Sequence, residues 1–314
     1  MEYLLLLLGF VLLAAAGNYL VESSVALSKH LKVSTLVIGV VVVSFGTSAP
    51  ELIVSLKAAL AGHSDIAIGN VVGSNIANIG LILGITAIIL PIPVKSRSII
   101  FDWPVMMIAS ILIFLFMLNN QIGRIEGFIL FILLIMFVYY SLYSSRKNEK
   151  ISNKIPEKAK YDIWISLLLL VLSCGGLYFG SELLVKNASS IALKFNVSER
   201  IISITIISFG TSVPELAASL AAALKKEMDI SIGNIIGSNL FNILGILGIT
   251  SLIHPIKGID PQINSFDIFW MLGFSLLLFL LIIPIKKGIL KRWKGLLLLS
   301  CYLVFLYFIF QIKK

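Results

Sequence analysis

The sequence predicts an all-α integral membrane protein of ten transmembrane helices, arranged as two inverted five-helix repeats. Two observations carry the membrane and repeat parts of that reading. Of the 314 residues, 58% are hydrophobic and 13% charged, with a mean hydropathy of +1.02, and the apolar runs repeatedly reach the ~20 residues that cross a bilayer. One pattern occurs twice: S-F-G-T-S-A-P-E-L (Ser44 to Leu52) returns as S-F-G-T-S-V-P-E-L (Ser208 to Leu216), and Gly69 to Ile79 returns as Gly233 to Ile243. The pairs Glu51/Glu215, Asn70/Asn234, Ser74/Ser238, Asn78/Asn242, Gly84/Gly248 and Pro91/Pro255 are all 164 residues apart, so no insertion separates the copies over this stretch.

Apolar runs set against chain breakers place spans at 3–22, 33–61, 66–90, 101–118, 124–143, 162–185, 197–224, 229–253, 265–285 and 289–311. The first resembles a cleavable signal, but it carries Glu2 with no leading Lys or Arg, and its Leu20-Val21 matches Leu184-Val185 in the second half. It reads as the first transmembrane helix. Five spans per half is an odd number, which makes the second repeat enter the membrane from the opposite side. The expected divisions are a first repeat at 1–143, a polar linker at 144–160 and a second repeat at 161–314. Alternate loops hold 17 of the 25 Lys and Arg, so the positive-inside rule puts those loops and the linker in the cytoplasm and both termini outside the cell membrane. The net charge of +9 therefore serves orientation and anionic lipid rather than nucleic acid. Cys174 and Cys301 lie in apolar runs and read as core residues, and His30, His63 and His254 sit near span ends, expected to face solvent. Gly69, Gly73, Gly80 and Gly84 are spaced for close helix packing.

The chemistry lies in the repeated segments. A carboxylate at mid-bilayer depth costs at least ~2.5–3.5 kcal/mol on insertion scales, and placing one there twice, at Glu51 and Glu215, points to a held cation. Ser44, Thr47, Ser48 and Glu51 fall at i, i+3, i+4 and i+7, as do Ser208, Thr211, Ser212 and Glu215, so a helix would present each set as one polar stripe. Pro50 and Pro214 cannot donate to the carbonyls of Gly46 and Gly210, which predicts kinks that free backbone oxygens near Thr47 and Thr211. Ser74 with Asn78, and Ser238 with Asn242, add polar pairs at i, i+4. Carboxylate, carbonyl, hydroxyl and amide oxygens without imidazole or thiolate suit a hard cation such as Ca²⁺, and the same oxygens could hold Na⁺.

G-T-S-x-P-E-L followed by G-N-x-x-G-S-N-x-x-N-I, present twice, resembles the two α-repeats of the calcium/cation antiporter superfamily, in its sodium/calcium exchanger branch. The resemblance spans the whole chain and implies ten helices in inverted repeats, with four ion sites among the second, third, seventh and eighth. It implies Glu51 and Glu215 as Ca²⁺ carboxylates and Thr47 and Thr211 as carbonyl ligands of Ca²⁺. Ser48, Ser74, Ser212 and Ser238 would help form Na⁺ sites, with Asn78 and Asn242 at the centre. Ser44 and Ser208 stand where relatives often carry Ala, which leaves their hydroxyls as candidate ligands. Asn242 replaces an Asp found in several relatives, including the potassium-dependent branch, and this argues against K⁺ cotransport.

The expected function is Na⁺-driven Ca²⁺ antiport by alternating access, with Ca²⁺ and Na⁺ as transported ions, no cofactor and no implied protein partner. A proton-coupled or other divalent cation exchanger on the same scaffold is the second reading, and an intramembrane metalloenzyme the third. The last requires an activated water or nucleophile, and no H-E-x-x-H or comparable pattern occurs.

Overall fold

In hydrocarbon no water bonds a stray N–H or C=O, so apolar stretches settle into helices that satisfy their own backbone. A computed structural model describes residues 1–151, 158–195, 208–283 and 288–312, except for the side chains of 149–151, 208, 310 and 312. The described chain is nearly all helical: α1 (Glu2–Leu31), α2 (Thr35–Thr47), α3 (Ala49–Leu60), α4 (Ser64–Ile89), α5 (Ser98–Asn119), α6 (Arg124–Ile151), α7 (Ile163–Lys194), α8 (Ser208–Gly210), α9 (Val213–Leu224), α10 (Met228–Ile253), α11 (Ile263–Ile282) and α12 (Arg292–Ile312). Eight of these are long and apolar enough to cross a membrane, and the bent pair α2–α3, if taken as one span, brings the number to nine. The chain is a multi-pass membrane protein. The span expected at 197–224 is represented by the short apolar α9 and by α8, and its residues 197–207 lie outside the described ones.

Helix ends differ from the expected ones where polar residues continue a helix. The run V-E-S-S-V-A-L-S-K-H-L carries α1 on to Leu31, well past residue 22, because it contains no Gly or Pro to stop it. In the same way α6 runs through Ser144 to Ile151, so the start of the expected linker is helical.

The described chain divides into two compact units, each assembled from both halves of the sequence. The first unit comprises Met1–Pro50 and Leu142–Asn234. Its core includes Leu13, Leu20, Val21, Ile38, Leu177 and Ala222. Small residues let α1 and α7 cross closely: a Cβ placed on Gly9 would sit 3.1 Å from the Gly180 carbonyl oxygen. At one end of α1, Glu22 accepts from Lys160 at 2.6 Å, from Lys225 at 2.7 Å and from the Tyr161 hydroxyl at 2.7 Å. Part of the basic loop charge is therefore neutralised within the protein. His30, expected to face solvent, is half-buried, with Nε2 2.8 Å from the Tyr161 carbonyl oxygen.

The second unit comprises Glu51–Ser141 and Ile235–Lys314. In it Gly84 of α4 lies against Gly295 of α12, and Gly248 of α10 against Gly127 of α6, with an added Cβ on Gly84 or Gly248 falling 3.2–3.3 Å from the facing carbonyl oxygen. Gly80 packs on Phe274 and Tyr302, but an added Cβ at Gly69 or Gly73 would meet no described atom within 4 Å. The close-packing role thus holds for two of the four glycines, among the described residues. Two short antiparallel ladders depart from the all-α expectation: β1 (Ile92–Pro93) pairs with β4 (Ile289–Leu290), and β2 (Gln121–Ile122) with β3 (Ile256–Lys257).

Candidate functional site

The first unit builds its polar cluster where α2 and α8 end. α2 and α3 meet at an angle of 46°. Ser48 lies at the break with φ −86° and ψ 5°, the bridge region where a helix does not continue. Ser212 has the same conformation between α8 and α9, φ −91° and ψ 2°. Pro50 and Pro214, two residues on, supply the cause, because neither can donate the N–H that would hold the preceding turn. The expected kink thus divides the polar stripe, with Ser44 and Thr47 before it and Glu51 after it.

Within this unit Ser44, Thr47, Ser48, Ser212, Glu215 and Asn234 are all buried. The Ser48 hydroxyl donates to Glu215 Oε1 at 3.1 Å. The Thr47 hydroxyl lies 3.1 Å from Asn234 Oδ1 and 3.3 Å from the Ser44 carbonyl oxygen, to either of which it can donate. The Ser44 hydroxyl turns back onto the Val40 carbonyl, so it is already used within its own helix. Asn234 Nδ2 donates to the Glu215 carbonyl at 3.3 Å and lies 2.9 Å from Ser219 Oγ. Glu215 Oε2 and Ser212 Oγ are buried without a hydrogen-bond partner among the described residues. Thr211 is half-buried in the turn before Ser212, and Ser208 begins α8, with its side chain outside the described residues.

The second unit repeats the anchor and adds an amide cluster. Asn70 Nδ2 donates to the Glu51 carbonyl at 3.2 Å and lies 2.9 Å from Ser55 Oγ, the same pair of bonds that Asn234 makes to Glu215 and Ser219. Glu51 is 1% exposed. On α4 and α10, four buried asparagines bond in a two-fold pattern. Asn78 Nδ2 donates to Asn239 Oδ1 at 2.9 Å and Asn242 Nδ2 to Asn75 Oδ1 at 3.0 Å, while Asn75 and Asn239 each donate to the other's backbone carbonyl at 3.4 Å. Asn78 Oδ1 and Asn242 Oδ1 are left buried and unpaired among the described residues. Both helices widen into π-helical turns here, Asn78–Leu83 and Phe241–Leu247, a local irregularity that recurs at functional sites. Ser74 and Ser238 are buried on the same helices.

Orphaned buried oxygens are costly, and an apolar surrounding leaves them few ways to be satisfied. In the first unit they belong to a carboxylate and a hydroxyl and in the second to two amides, all of them hard donors suited to alkali and alkaline-earth cations. Asn70, Asn75, Asn234 and Asn239, together with Ser55 and Ser219, were not singled out as functional from the sequence. Their recurrence at the common 164-residue interval was the available signal.

Comparison with known proteins agrees with this chemistry. The family described as sodium/calcium exchanger protein matches residues 1–143 and 165–311. The sodium/calcium exchanger MaX1 of Methanosarcina acetivorans is 31% identical over 99% of both chains, and the inner membrane protein YrbG of Escherichia coli is 34% identical over 88% of this chain and 87% of its own. A solved structure of the sodium-calcium exchanger NCX_Mj, soaked with zero Na⁺ and Ca²⁺, superposes with a TM-score of 0.82 at 33% identity, covering 96% of this chain and 97% of that one. With most of its length matched, the chain belongs to the sodium/calcium exchanger protein family and is a membrane transporter rather than an enzyme.

Proposed function

We propose that the protein is a secondary active antiporter that exchanges Na⁺ for Ca²⁺ by alternating access. The observation that carries this reading is the matched treatment of the two glutamates. Each is buried after a helix break, and each has its backbone carbonyl bonded by an asparagine 19 residues further along. Two carboxylates balance the charge of one Ca²⁺, and in this reading Thr47 and Thr211 add backbone carbonyls to them. Ser48, Ser74, Ser212 and Ser238 serve Na⁺, with Asn78 and Asn242 supplying amide oxygens at the centre. Ser44 and Ser208 act as secondary hydroxyl donors. The names of the relatives support the same pair of ions.

The architecture we infer is ten transmembrane helices in two inverted repeats, 1–143 and 161–314, joined by a cytoplasmic segment at 144–160, with both termini outside. The 164-residue recurrence and the loop charges support it. The test is ⁴⁵Ca²⁺ uptake by proteoliposomes under an imposed Na⁺ gradient and, separately, an imposed pH gradient. Uptake driven by Na⁺ alone is expected. Uptake driven only by the pH gradient would replace Na⁺ with H⁺ as the coupling ion, and uptake under neither would overturn the antiport reading.

A further inference from the structure

The two helix breaks are alike in sequence but not in how they are supported. Pro214 leaves the Gly210 carbonyl without its usual donor. In the first unit this buried carbonyl accepts from the Ser181 hydroxyl of α7 at 2.5 Å. α7 also presses on Gly210 directly, since a Cβ added there would collide with Val185 Cγ2. At the first break Pro50 frees the Gly46 carbonyl, and α7 again lies alongside, as a Cβ on Gly46 would collide with Cys174 Sγ. Cys174, Ser181 and Val185 are spaced seven and four residues apart and so share one face of α7.

The residue matching Ser181 in the first half is Gly17, which has no hydroxyl to offer. Nor does that position have room for one, because a Cβ on Gly17 would already sit 3.0 Å from the Ala217 carbonyl oxygen. Gly46 is only half-buried where Gly210 is buried. The asymmetry is therefore set by both sequence and packing.

We propose that Ser181 is a positioning residue for ion binding: it holds the Gly210–Ser212 turn in place by bonding the carbonyl that Pro214 frees, a support that Gly17, its counterpart in the first repeat, cannot give. The proposal rests on the cation-binding reading above, because the turn it fixes carries Thr211 and Ser212 and leads into Glu215. Fixing the turn sets where those oxygens stand before an ion arrives, which lowers the ordering cost of binding.

Ser181→Ala and Ser181→Thr are compared with the parent in two measurements: Ca²⁺ binding to the detergent-purified protein, and the KM and kcat of Ca²⁺ uptake. Loss of one supporting hydrogen bond is expected to weaken Ca²⁺ binding and raise KM by about three- to tenfold in Ser181→Ala. Ser181→Thr, which keeps the hydroxyl, is expected to stay near the parent, and kcat is expected to change little in either. Binding needs no coupling ion, so a parent that binds Ca²⁺ but is not driven by Na⁺ would count against the antiport reading and leave this comparison readable. Unchanged Ca²⁺ binding in Ser181→Ala would overturn the proposal, as would a Thr variant as impaired as the Ala variant, or a lowered melting temperature with binding intact.

Discussion

At the scale of single residues, the candidate ion ligands of each unit are buried oxygens with few protein partners of their own among the described residues. In the first unit Glu215 has Ser48 on one oxygen and no described partner on the other, and in the second Asn78 and Asn242 each donate one amide hydrogen bond and keep an oxygen without a described partner. Glu51→Gln and Glu215→Gln remove a charge from this set while keeping size and shape. Each is expected to abolish Ca²⁺ uptake in proteoliposomes with no loss of melting temperature, because a buried carboxylate is costly to the empty protein. Uptake at the parent's rate in either variant would remove that glutamate from the ion path. Asn234→Ala acts one step back, since it leaves the Glu215 carbonyl and Ser219 without their donor. Its expected effect is a Ca²⁺ affinity lowered about five- to 150-fold, in line with the ~1–3 kcal/mol cost of an unsatisfied buried group. Binding calorimetry would detect it, and an unchanged affinity would refute the anchoring role. The glutamates were legible in the sequence because a charge in an apolar run has no cheap explanation. The anchors were not, because their partner is a main-chain carbonyl 19 residues away, which no side-chain pattern announces.

At the scale of elements, polar side chains gather at the break at Ser48 and at the π-helical turns that hold Asn78 and Asn242. The 46° bend at Ser48 follows from Pro50 and was legible from it. The π-helical turns at Asn78–Leu83 and Phe241–Leu247 were not, since neither segment contains a proline to mark it. Helix ends were misjudged where hydropathy falls but helix propensity does not, as in α1 beyond residue 22 and α6 beyond residue 143. The two short ladders escaped for a different reason: pairs of two-residue strands bring together loops far apart in sequence and leave no periodic signal. Pro50→Ala tests whether the bend serves function. It restores an N–H able to bond the Gly46 carbonyl, so a straighter helix is expected, with stability unchanged or higher and Ca²⁺ uptake reduced at least tenfold. A variant that transports like the parent would mean the bend is incidental.

At the scale of the whole molecule, the 164-residue recurrence can be read directly from the sequence, whereas the grouping into compact units cannot. A repeat period records which segments correspond, not which ones pack together, and each unit draws segments from both halves. Orientation depends on a different quantity, the distribution of charge among loops. Some of that charge is internally paired: Lys160 and Lys225 both donate to Glu22, and the bond to Glu22 is the main cause that holds the Lys160 ammonium above its ordinary pKa. Pairing does not cancel their topological weight, because the positive-inside bias counts Lys and Arg and gives acidic residues little influence. The loop ahead of α7 is therefore expected on the cytoplasmic side. Lys158, exposed in that loop, offers a place to test it with a single engineered thiol. In a background lacking Cys174 and Cys301, Lys158→Cys is expected to resist a membrane-impermeant maleimide in intact cells and to react once the membrane is opened. A thiol placed at Asn120, exposed at the end of α5, should show the opposite pattern, because an odd number of crossings separates the two positions. If Lys158→Cys reacts in intact cells and Asn120→Cys does not, the orientation is reversed; if both react, the charge bias has not fixed a single orientation in this chain.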